Sequence, residues 1–247
     1  MRSVVSPGQG QGSRGLTTQV VADVGRRIVT GEILPGSVLQ PDAVSEEYAV
    51  SRTVVREAFR VLQHKGLVAS RPRAGTKVLD RTHWNSLDLD LIGWRSGVDP
   101  TGQGQELLQM RRAIEPMAAA LAAHRVDEPL RERISTLCAS MQDSLAARDP
   151  EAFRQADVRF HDAVLTAAKN AMMAQLSDIV TESLHLLHSQ EVTTEQLDPR
   201  AVALHVAVAE AIVAGDAERA RAAMTALVDM AETRIKDDEG PEARRSP

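Results

Sequence analysis

The spacing of apolar and polar positions divides this chain of 247 residues into two differently patterned parts. From residue 105 onward, apolar side chains recur at helical spacing, and short polar breaks separate the repeats. The breaks predict six helices, at 105–125, 127–148, 150–169, 171–190, 199–214 and 216–235. Six helices with short connections predict an all-helical antiparallel bundle.

The first part of the chain contains one strongly amphipathic helix. Ser51 is a natural N-cap, because its hydroxyl can accept a hydrogen bond from an amide of the first helical turn, and Gly66 supplies the stop. The predicted buried stripe consists of Val54, Ala58, Val61 and Leu62. The side chains off this stripe that can contact DNA are Arg52, Thr53, Arg56 and Arg60. The pattern is typical of a helix that enters the DNA major groove.

The segments on either side of this helix complete a DNA-binding unit. A helical pattern covers 17–31, and 43–48 can form a short second helix. Two short strands are predicted at 66–70 and 76–79, and the basic turn between them is suited to lie along a DNA backbone or in a minor groove. We therefore expect a mainly α chain, in which a winged helix-turn-helix precedes the helical bundle.

The charge distribution separates the same two parts. Residues 1–80 hold 11 Lys and Arg against 7 Asp and Glu, a balance of +4, whereas the whole chain carries −5. Residues 81–247 therefore carry −9. A basic helical face alone could be simply solvated, or belong to an enzyme with a helix-turn-helix shape. A basic N-terminal part followed by an acidic remainder favours a DNA-binding protein whose second domain has another function.

Composition bounds the remaining segments. We expect a flexible tail over 1–15, a DNA-binding domain over 16–80, a linker over 81–104, an effector domain over 105–236 and a flexible tail over 237–247. No apolar run approaches the roughly 20 residues of a membrane span, and the N-terminus lacks the apolar core of a signal peptide. The lone cysteine, Cys138, fits a reducing compartment. We expect a cytoplasmic protein without membrane contact.

The linker contains both tryptophans of the chain. Trp84, Leu87, Leu91 and Trp94 recur at a spacing that places them on one side of a helix. We expect this face to pack against the effector domain or against a partner subunit.

Candidate chemistry in the bundle concentrates on Asp157 and His161, which are four residues apart and project from one helical face. His205, on the fifth predicted helix, can meet them across the bundle. A carboxylate and imidazoles suit zinc, manganese, nickel or iron. The same spacing is also common on solvated faces, so the residues alone leave both interpretations open.

Four spaced motifs in the first part resemble the GntR family of bacterial transcription regulators. They are Ile-Val-Thr-Gly at 28–31, Pro-Gly-Ser-Val-Leu at 35–39, Ser-Arg-Thr-Val-Val-Arg-Glu-Ala at 51–58 and Gly-Leu-Val at 66–68. The resemblance implies direct DNA contact by the recognition helix and a wing placed against the duplex. The expected DNA-binding residues are Ser51, Arg52, Thr53, Arg56, Arg71, Arg73, Gly75 and Thr76. The run at 40–44 departs from the family pattern, because it is shorter and lacks a basic residue.

Motifs over 105–235 resemble the FCD effector domain of FadR-type GntR regulators. They are Arg-Arg-Ala-Ile-Glu at 111–115, Asp-Val-Arg-Phe-His at 157–161, Ala-Lys-Asn at 168–170, and His205 with Ala-Ile-Val-Ala-Gly-Asp at 211–216. The resemblance implies a divalent metal, zinc among the candidates, held by Asp157, His161 and His205. It also implies that Arg111 holds a carboxylate effector, for which its planar fork is suited. The family's third histidine falls at Leu227, which cannot bind metal.

This departure leaves three interpretations of the site open. Three protein ligands can suffice when water and effector fill the other positions. Alternatively, His185 or His188 substitutes for the third histidine, or the site is metal-free and His161 and His205 bond the effector directly. Arg111 also has an alternative partner, Glu115, four residues further along the helix.

The linker motif Trp-Asn-Ser-Leu-Asp at 84–88, together with Glu115-Pro116, narrows the resemblance to regulators of sugar-acid (aldonate) catabolism. This implies a polyhydroxylated carboxylate effector, whose hydroxyl groups would be seated by Gln109, Asn170, His185 and His188. The expected effector-binding residues are Arg111, Asp157, His161, Asn170, His185 and His205.

These expectations describe a homodimeric repressor, not an enzyme. Its two recognition helices would bind a pseudo-palindromic operator in double-stranded DNA and release it when the effector binds. Two other classes remain as alternatives: a metal-dependent enzyme that uses Asp157, His161 and His205, and an architectural DNA-binding protein without an effector.

Overall fold

The computed structural model describes residues 9–71, 75–190 and 197–238, with side chains over 15–70, 75–187 and 197–231. The chain divides into two compact units, with the boundary between Asp99 and Pro100. Each unit has its own hydrophobic core.

The N-terminal unit is a winged helix-turn-helix, which confirms the predicted fold. Its elements are α1 (Gln9–Val29), β1 (Val38–Leu39), α2 (Pro41–Glu47), α3 (Arg52–His64), β2 (Val68–Arg71), β3 (Gly75–Val78) and α4 (Leu89–Ser96). The strands form an antiparallel sheet in the order β1-β3-β2, in which Val38 lies opposite Lys77 and Val68 opposite Val78. Strand β1 has only two residues, too short for the alternation by which strands are recognised in a sequence.

The buried face of α3 differs by part of a turn from the expected stripe. Its buried side chains are Val54, Val55, Ala58, Phe59 and Leu62. Val61, which we expected in the core, is 38% exposed. At 3.6 residues per turn, Val61 lies about 90° from the centre of the buried set, so it falls at the edge of the stripe.

Helix α1 begins at Gln9, inside the segment that we expected to be a flexible tail. Extending a formed helix costs much less free energy than nucleating one. The apolar residues Val20, Val21, Val24 and Ile28 anchor the C-terminal half of α1 in the core, and the polar N-terminal half continues from it.

Residues 81–99, which we assigned to a linker that extends to 104, belong to the N-terminal unit. Trp84 and Trp94 pack against the winged-helix core, so the expectation that they face the effector domain or a partner is wrong. A Cβ at Gly25 of α1 would lie 2.3 Å from the Trp94 ring, which shows how closely this ring lies on the helix. We call residues 81–96 the docked segment.

Polar contacts hold the docked segment to the end of α3. The buried Lys65 ammonium donates to Asp88 at 2.8 Å and to Asp90 at 2.6 Å. Burial lowers the pKa of Lys65, but its hydrogen bonds to the two carboxylates outweigh burial and raise the pKa. Gly66 has φ of +75°, and a Cβ there would lie 2.1 Å from the carbonyl oxygen of His83. Two features therefore require glycine at position 66: its positive φ, and the close contact of its Cα with the His83 backbone.

The second unit is a helical bundle, as predicted. Its helices are α5 (Pro100–His124), α6 (Glu128–Ala147), α7 (Pro150–Ala167), α8 (Ala171–Ala174), α9 (Ser177–Gln190), α10 (Pro199–Val213) and α11 (Ala217–Asp238). The fourth expected helix is divided in two, because the Leu176 amide donates to Met173 three residues back and ends α8 in a tight turn. Helix α5 begins five residues before the expected position, and α11 runs two residues past the expected end of the domain.

Small residues let the bundle helices approach closely. Ala118, Ala119 and Ala122 of α5 are fully buried, as is Met224 of α11, the helix with which α5 makes its most extensive contact. This packing agrees with the low aromatic content, since alanine, leucine and valine fill most of the core. In the part of the chain that the structure describes, no helix is long and apolar enough to cross a membrane.

Candidate functional site

Five polar side chains form a buried cluster in the centre of the bundle. Arg111 and Glu115 come from α5, Asp157 and His161 from α7, and His205 from α10, and each residue is at most 4% exposed. Burying so many ionisable groups costs free energy unless they are paired. We therefore take this cluster as the candidate functional site of the bundle.

Asp157, His161 and His205 come together as the sequence predicted. Their ligand atoms lie within 4.8 Å of one another, the one such group with metal-binding geometry among the described residues. Asp157 Oδ1 lies 2.7 Å from His205 Nε2 and 3.6 Å from His161 Nε2. Two donor atoms, each about 2.1 Å from one ion, are roughly 3.0–3.4 Å apart in octahedral or tetrahedral geometry. The two distances to Asp157 lie close to this range, which supports a divalent metal at the three residues.

The orientation of the imidazoles supports the same fit. His205 Nδ1 donates to the carbonyl oxygen of Ala201 at 2.7 Å, while its Nε2, although near Asp157, makes no hydrogen bond. A short contact that is not aligned as a hydrogen bond is expected when both atoms face a common third position. A metal-binding histidine typically donates its second ring N–H to a carbonyl or carboxylate in this way.

Glu115 joins the two parts of the cluster. Its Oε1 accepts from Arg111 Nε at 2.6 Å, and its Oε2 accepts from His161 Nδ1. Burial raises the pKa of Glu115, but the charges of Arg111 and His161 outweigh it and lower this pKa to about 2. Burial lowers the pKa of His161, but the Glu115 carboxylate and the hydrogen bond to Asp157 raise it to about 9. The sequence indicated Glu115 as a salt-bridge partner of Arg111 and as part of a family motif, but not its contact with His161.

Arg111 forms the predicted salt bridge to Glu115. It also lies next to His161, one of the candidate metal ligands. It is 2% exposed, and its Nη2 lies 3.5 Å from His161 Nε2. Its Nη1 is buried and has no hydrogen-bond partner. An orphaned buried guanidinium N–H is costly, so this atom indicates a place for an acceptor that the protein itself does not provide.

Aromatic rings close the cluster off from solvent. Phe160 lies edge-to-face against both imidazoles, with centroid distances of 5.9 Å to His161 and 5.1 Å to His205. Phe153 makes a similar contact with His205 at 6.2 Å. The low polarity of these walls strengthens electrostatic interactions inside the site.

Other residues expected at the effector site are not part of the cluster. Asn170 caps α8, where its side-chain oxygen accepts from the amides of Met172 and Met173. Gln109 and His185 are exposed, and the side chain of His188 lies outside the described residues. Leu227 is 6% exposed and belongs to the hydrophobic core. Asn170 and His185, which we expected at the effector site, therefore lie outside the buried cluster.

The recognition helix α3 presents its basic face to solvent. Arg52, Thr53 and Arg56 are exposed, and Ser51 caps the helix, since its hydroxyl accepts from the Val54 amide at 3.4 Å. Arg52 Nε forms an ion pair with Asp42 Oδ1 of α2 at 2.8 Å. This pair is exposed, so it holds Arg52 only weakly.

Two of the expected wing residues have structural roles in the sheet. Thr76 is 4% exposed, and its hydroxyl pairs with Ser70 across the strands at 3.0 Å. Gly75 has φ of +80°, and a Cβ there would lie 2.8 Å from Val38 of β1. The side chain of Arg71, and Arg73 entirely, lie outside the described residues.

Comparison with known proteins identifies the family. The profile of bacterial regulatory proteins of the gntR family matches residues 16–78, and the profile of the FCD domain matches residues 106–230. The chain belongs to the GntR family, in its FCD-containing branch.

This GntR regulator is 30% identical to the galactonate operon transcriptional repressor of Escherichia coli over 90% of its own length and 97% of that protein. It is also 30% identical to the transcriptional regulator LutR of Bacillus subtilis, over 81% of its own length and 91% of LutR. The solved structure of Streptococcus agalactiae GntR has the same fold, with a TM-score of 0.51 at 23% identity, covering 88% of this chain and 99% of that one. The expectation of a ligand-responsive, DNA-binding transcription regulator is thereby confirmed.

Proposed function

We propose that this GntR regulator is a homodimeric repressor whose bundle binds a divalent metal and a small sugar-acid carboxylate, and which leaves its operator when the carboxylate binds. The observation that carries this proposal is the buried cluster, in which a possible metal triad adjoins an arginine with an unsatisfied N–H. A metabolite with a carboxylate can meet both requirements at once.

Asp157, His161 and His205 would hold the metal. Because Leu227 stands where a fourth protein ligand would be expected, three protein ligands leave at least one position open. When bound, the metal supplies a Lewis-acidic centre for a carboxylate or hydroxyl oxygen. A metal-free site, in which His161 and His205 bond the effector directly, remains as the alternative that a chelator tests.

Arg111 would bind the effector carboxylate. Its Nε is already bonded to Glu115, so the guanidinium is held in place before a ligand arrives. Its Nη1 needs an acceptor, and a carboxylate oxygen provides a charge-assisted one. The galactonate operon repressor is named for a sugar-acid operon, which supports the polyhydroxylated class of ligand.

The DNA-binding surface would be the exposed start of α3, with Arg52 and Arg56 on base edges or phosphates. Thr53 lies between them on the same exposed face. Arg71 and Arg73 of the wing would contact the backbone, which makes affinity fall with added salt. A dimer would place two such helices on the half-sites of a pseudo-palindrome.

Effector binding would act by a difference in affinity. A ligand shifts an equilibrium only as far as it binds one state more tightly than the other. The cluster is nearly closed to solvent, so an effector must alter the packing of α5, α7 or α10 around it. The conformation with altered packing would have the lower affinity for the operator.

Fluorescence anisotropy on labelled DNA from upstream of the protein's own gene tests this proposal. We expect release by one aldonate from a panel that also contains simpler carboxylates, and we expect a chelator to prevent that release. Arg52→Ala should abolish DNA binding, whereas Arg221→Ala, an exposed arginine of α11, should not. Tight binding that no acid disturbs would contradict the effector assignment, and release that is insensitive to chelator would favour the metal-free site.

A further inference from the structure

Glu115 has a position in the cluster that the proposed ligand roles do not explain. It is 1% exposed and is not one of the three possible metal ligands. Its two carboxylate oxygens have different partners, since Oε1 accepts from Arg111 Nε at 2.6 Å and Oε2 accepts from His161 Nδ1. One side chain thus contacts both the possible carboxylate-binding arginine and a possible metal ligand.

The contact with Glu115 determines which nitrogen of His161 can face a metal. An ionised carboxylate can only accept hydrogen bonds, so the proton that occupies this contact is carried by Nδ1. A neutral imidazole then presents its lone pair on Nε2, the atom 3.6 Å from Asp157 Oδ1. His205 reaches the same state through the carbonyl oxygen of Ala201, so Glu115 does for one imidazole what the backbone does for the other.

The same carboxylate fixes Arg111 beside that imidazole. With Nε bound to Glu115, Arg111 Nη2 is held 3.5 Å from His161 Nε2, and Nη1 is left without a partner. Removing the carboxylate would let the guanidinium rotate away from the metal-binding residues. A ligand that bridges metal and arginine needs both groups held at one separation, because small misplacements are costly.

We propose that Glu115 is a positioning residue that holds His161 Nε2 toward the metal and Arg111 Nη1 toward the effector carboxylate. This inference rests on the proposed metal and effector site. It predicts that metal affinity and effector affinity depend on one side chain that touches neither ligand. Partners that orient a metal-binding histidine typically contribute roughly 10–100-fold to metal affinity.

Glu115→Gln tests this role with almost no change of shape. A glutamine has one acceptor oxygen, and the site holds two donors, Arg111 Nε–H and His161 Nδ1–H. If the oxygen faces Arg111, the amide N–H faces His161 and forces its proton onto Nε2, where it blocks the metal. If the oxygen faces His161, the amide N–H opposes the arginine N–H, and the guanidinium moves.

The measurement is Zn²⁺ or Mn²⁺ affinity by competition with a chromogenic chelator, followed by aldonate release of labelled operator. We expect Glu115→Gln to weaken metal binding roughly 10–100-fold and to raise the effector concentration needed for release. Glu115→Asp keeps two acceptor oxygens and should lie closer to wild type. The matched control is Glu210→Gln, an exposed glutamate paired with Arg219 on the surface, which should match wild type in both measurements.

Two outcomes separate this inference from the proposed function. A wild-type protein that binds no metal would overturn the proposed metal site and this inference together. A wild-type protein that binds metal while Glu115→Gln binds it equally well would overturn this inference alone. Should Glu115→Gln fail to fold, the long-range proton–nitrogen NMR spectrum of the wild-type imidazoles decides, because an unprotonated His161 Nδ1 in the metal-free protein would also overturn it.

Discussion

Each unit of this regulator buries a group of charged side chains, and the two groups differ in how completely they are satisfied. In the N-terminal unit, the three hydrogen bonds from the Lys65 ammonium reach Asp88 and Asp90. In the bundle, Arg111 Nη1 and His205 Nε2 are buried and make no hydrogen bond. The first group fastens the docked segment to α3, whereas the second leaves a buried donor of Arg111 and a buried nitrogen of His205 without a hydrogen bond.

The difference gives a criterion for separating structural from functional burial of charge. A buried ion pair costs desolvation and is retained when its partners compensate for it, as those of Lys65 do. Atoms that the protein leaves unpaired keep that cost until a ligand arrives. Substitutions should therefore affect stability in the first group and ligand affinity in the second.

Asp157→Asn should give a large effect of the second kind, on ligand affinity. It keeps the shape of the side chain but removes the charge between the two imidazoles, 2.7 Å and 3.6 Å from their Nε2 atoms. We expect metal affinity to fall by more than the roughly 100-fold upper range for residues that only orient a ligand. Competition with a chromogenic chelator measures it. Equal metal affinity in the variant and the wild type would remove Asp157 from the site.

Gly66→Ala should give the largest effect of the first kind. The substitution combines a positive φ of +75° with a Cβ that would lie 2.1 Å from the His83 carbonyl oxygen, a backbone atom that cannot rotate away. Gly31→Ala is the matched control, since it has φ of +80° but no atom within 4 Å. The control should cost about 1 kcal/mol of unfolding free energy and Gly66→Ala about 3 kcal/mol. Urea denaturation measures the unfolding free energy of both variants. Equal losses would show that the docked segment moves away from the added Cβ without strain.

The sequence predicted the secondary-structure elements of both units well. The recognition helix, the wing and the six bundle segments follow from spacing and from caps such as Ser51, because these signals act within a few residues. Asp157, His161 and His205 were also found in advance, although His205 is 44 residues from His161 in the chain. The predicted helices made this meeting possible, and the family resemblance then favoured it.

What the sequence did not predict depends on contacts between distant residues. Trp94 packs on Gly25, and Lys65 binds Asp88, yet nothing in the local pattern of the linker indicates which surface it meets. The contact of Glu115 with His161 was missed because the two residues are on different helices. The helix-capping bonds that Asn170 accepts from the amides of Met172 and Met173 were likewise not predicted, since the same residue type serves as a cap and as a ligand-binding residue.

Lys65→Met should give a smaller loss of stability and tests whether the two groups of buried charges are independent. Methionine keeps the apolar stem of the lysine but leaves Asp88 and Asp90 without their cation. The cost is moderated because the Asp90 side chain is 59% exposed and can be solvated. We expect a loss of about 1–2 kcal/mol of unfolding free energy, less than for a fully buried pair, and unchanged metal affinity. A loss of metal affinity in this variant would show that the two charged groups are not independent.

His185→Ala, compared with His205→Ala, tests the smallest expected effect. Both histidines are on helices of the bundle and either could be written as a metal ligand from the sequence, but His185 is exposed whereas His205 is 2% exposed with its Nε2 near Asp157. Truncating an exposed side chain leaves no cavity and no orphaned partner, so His185→Ala should change metal affinity less than about twofold. His205→Ala removes a ligand and should abolish tight binding in the same chelator competition. If both variants lose metal equally, α9 contributes to the site, and burial in the metal-free state would not be a sufficient guide to which histidines bind.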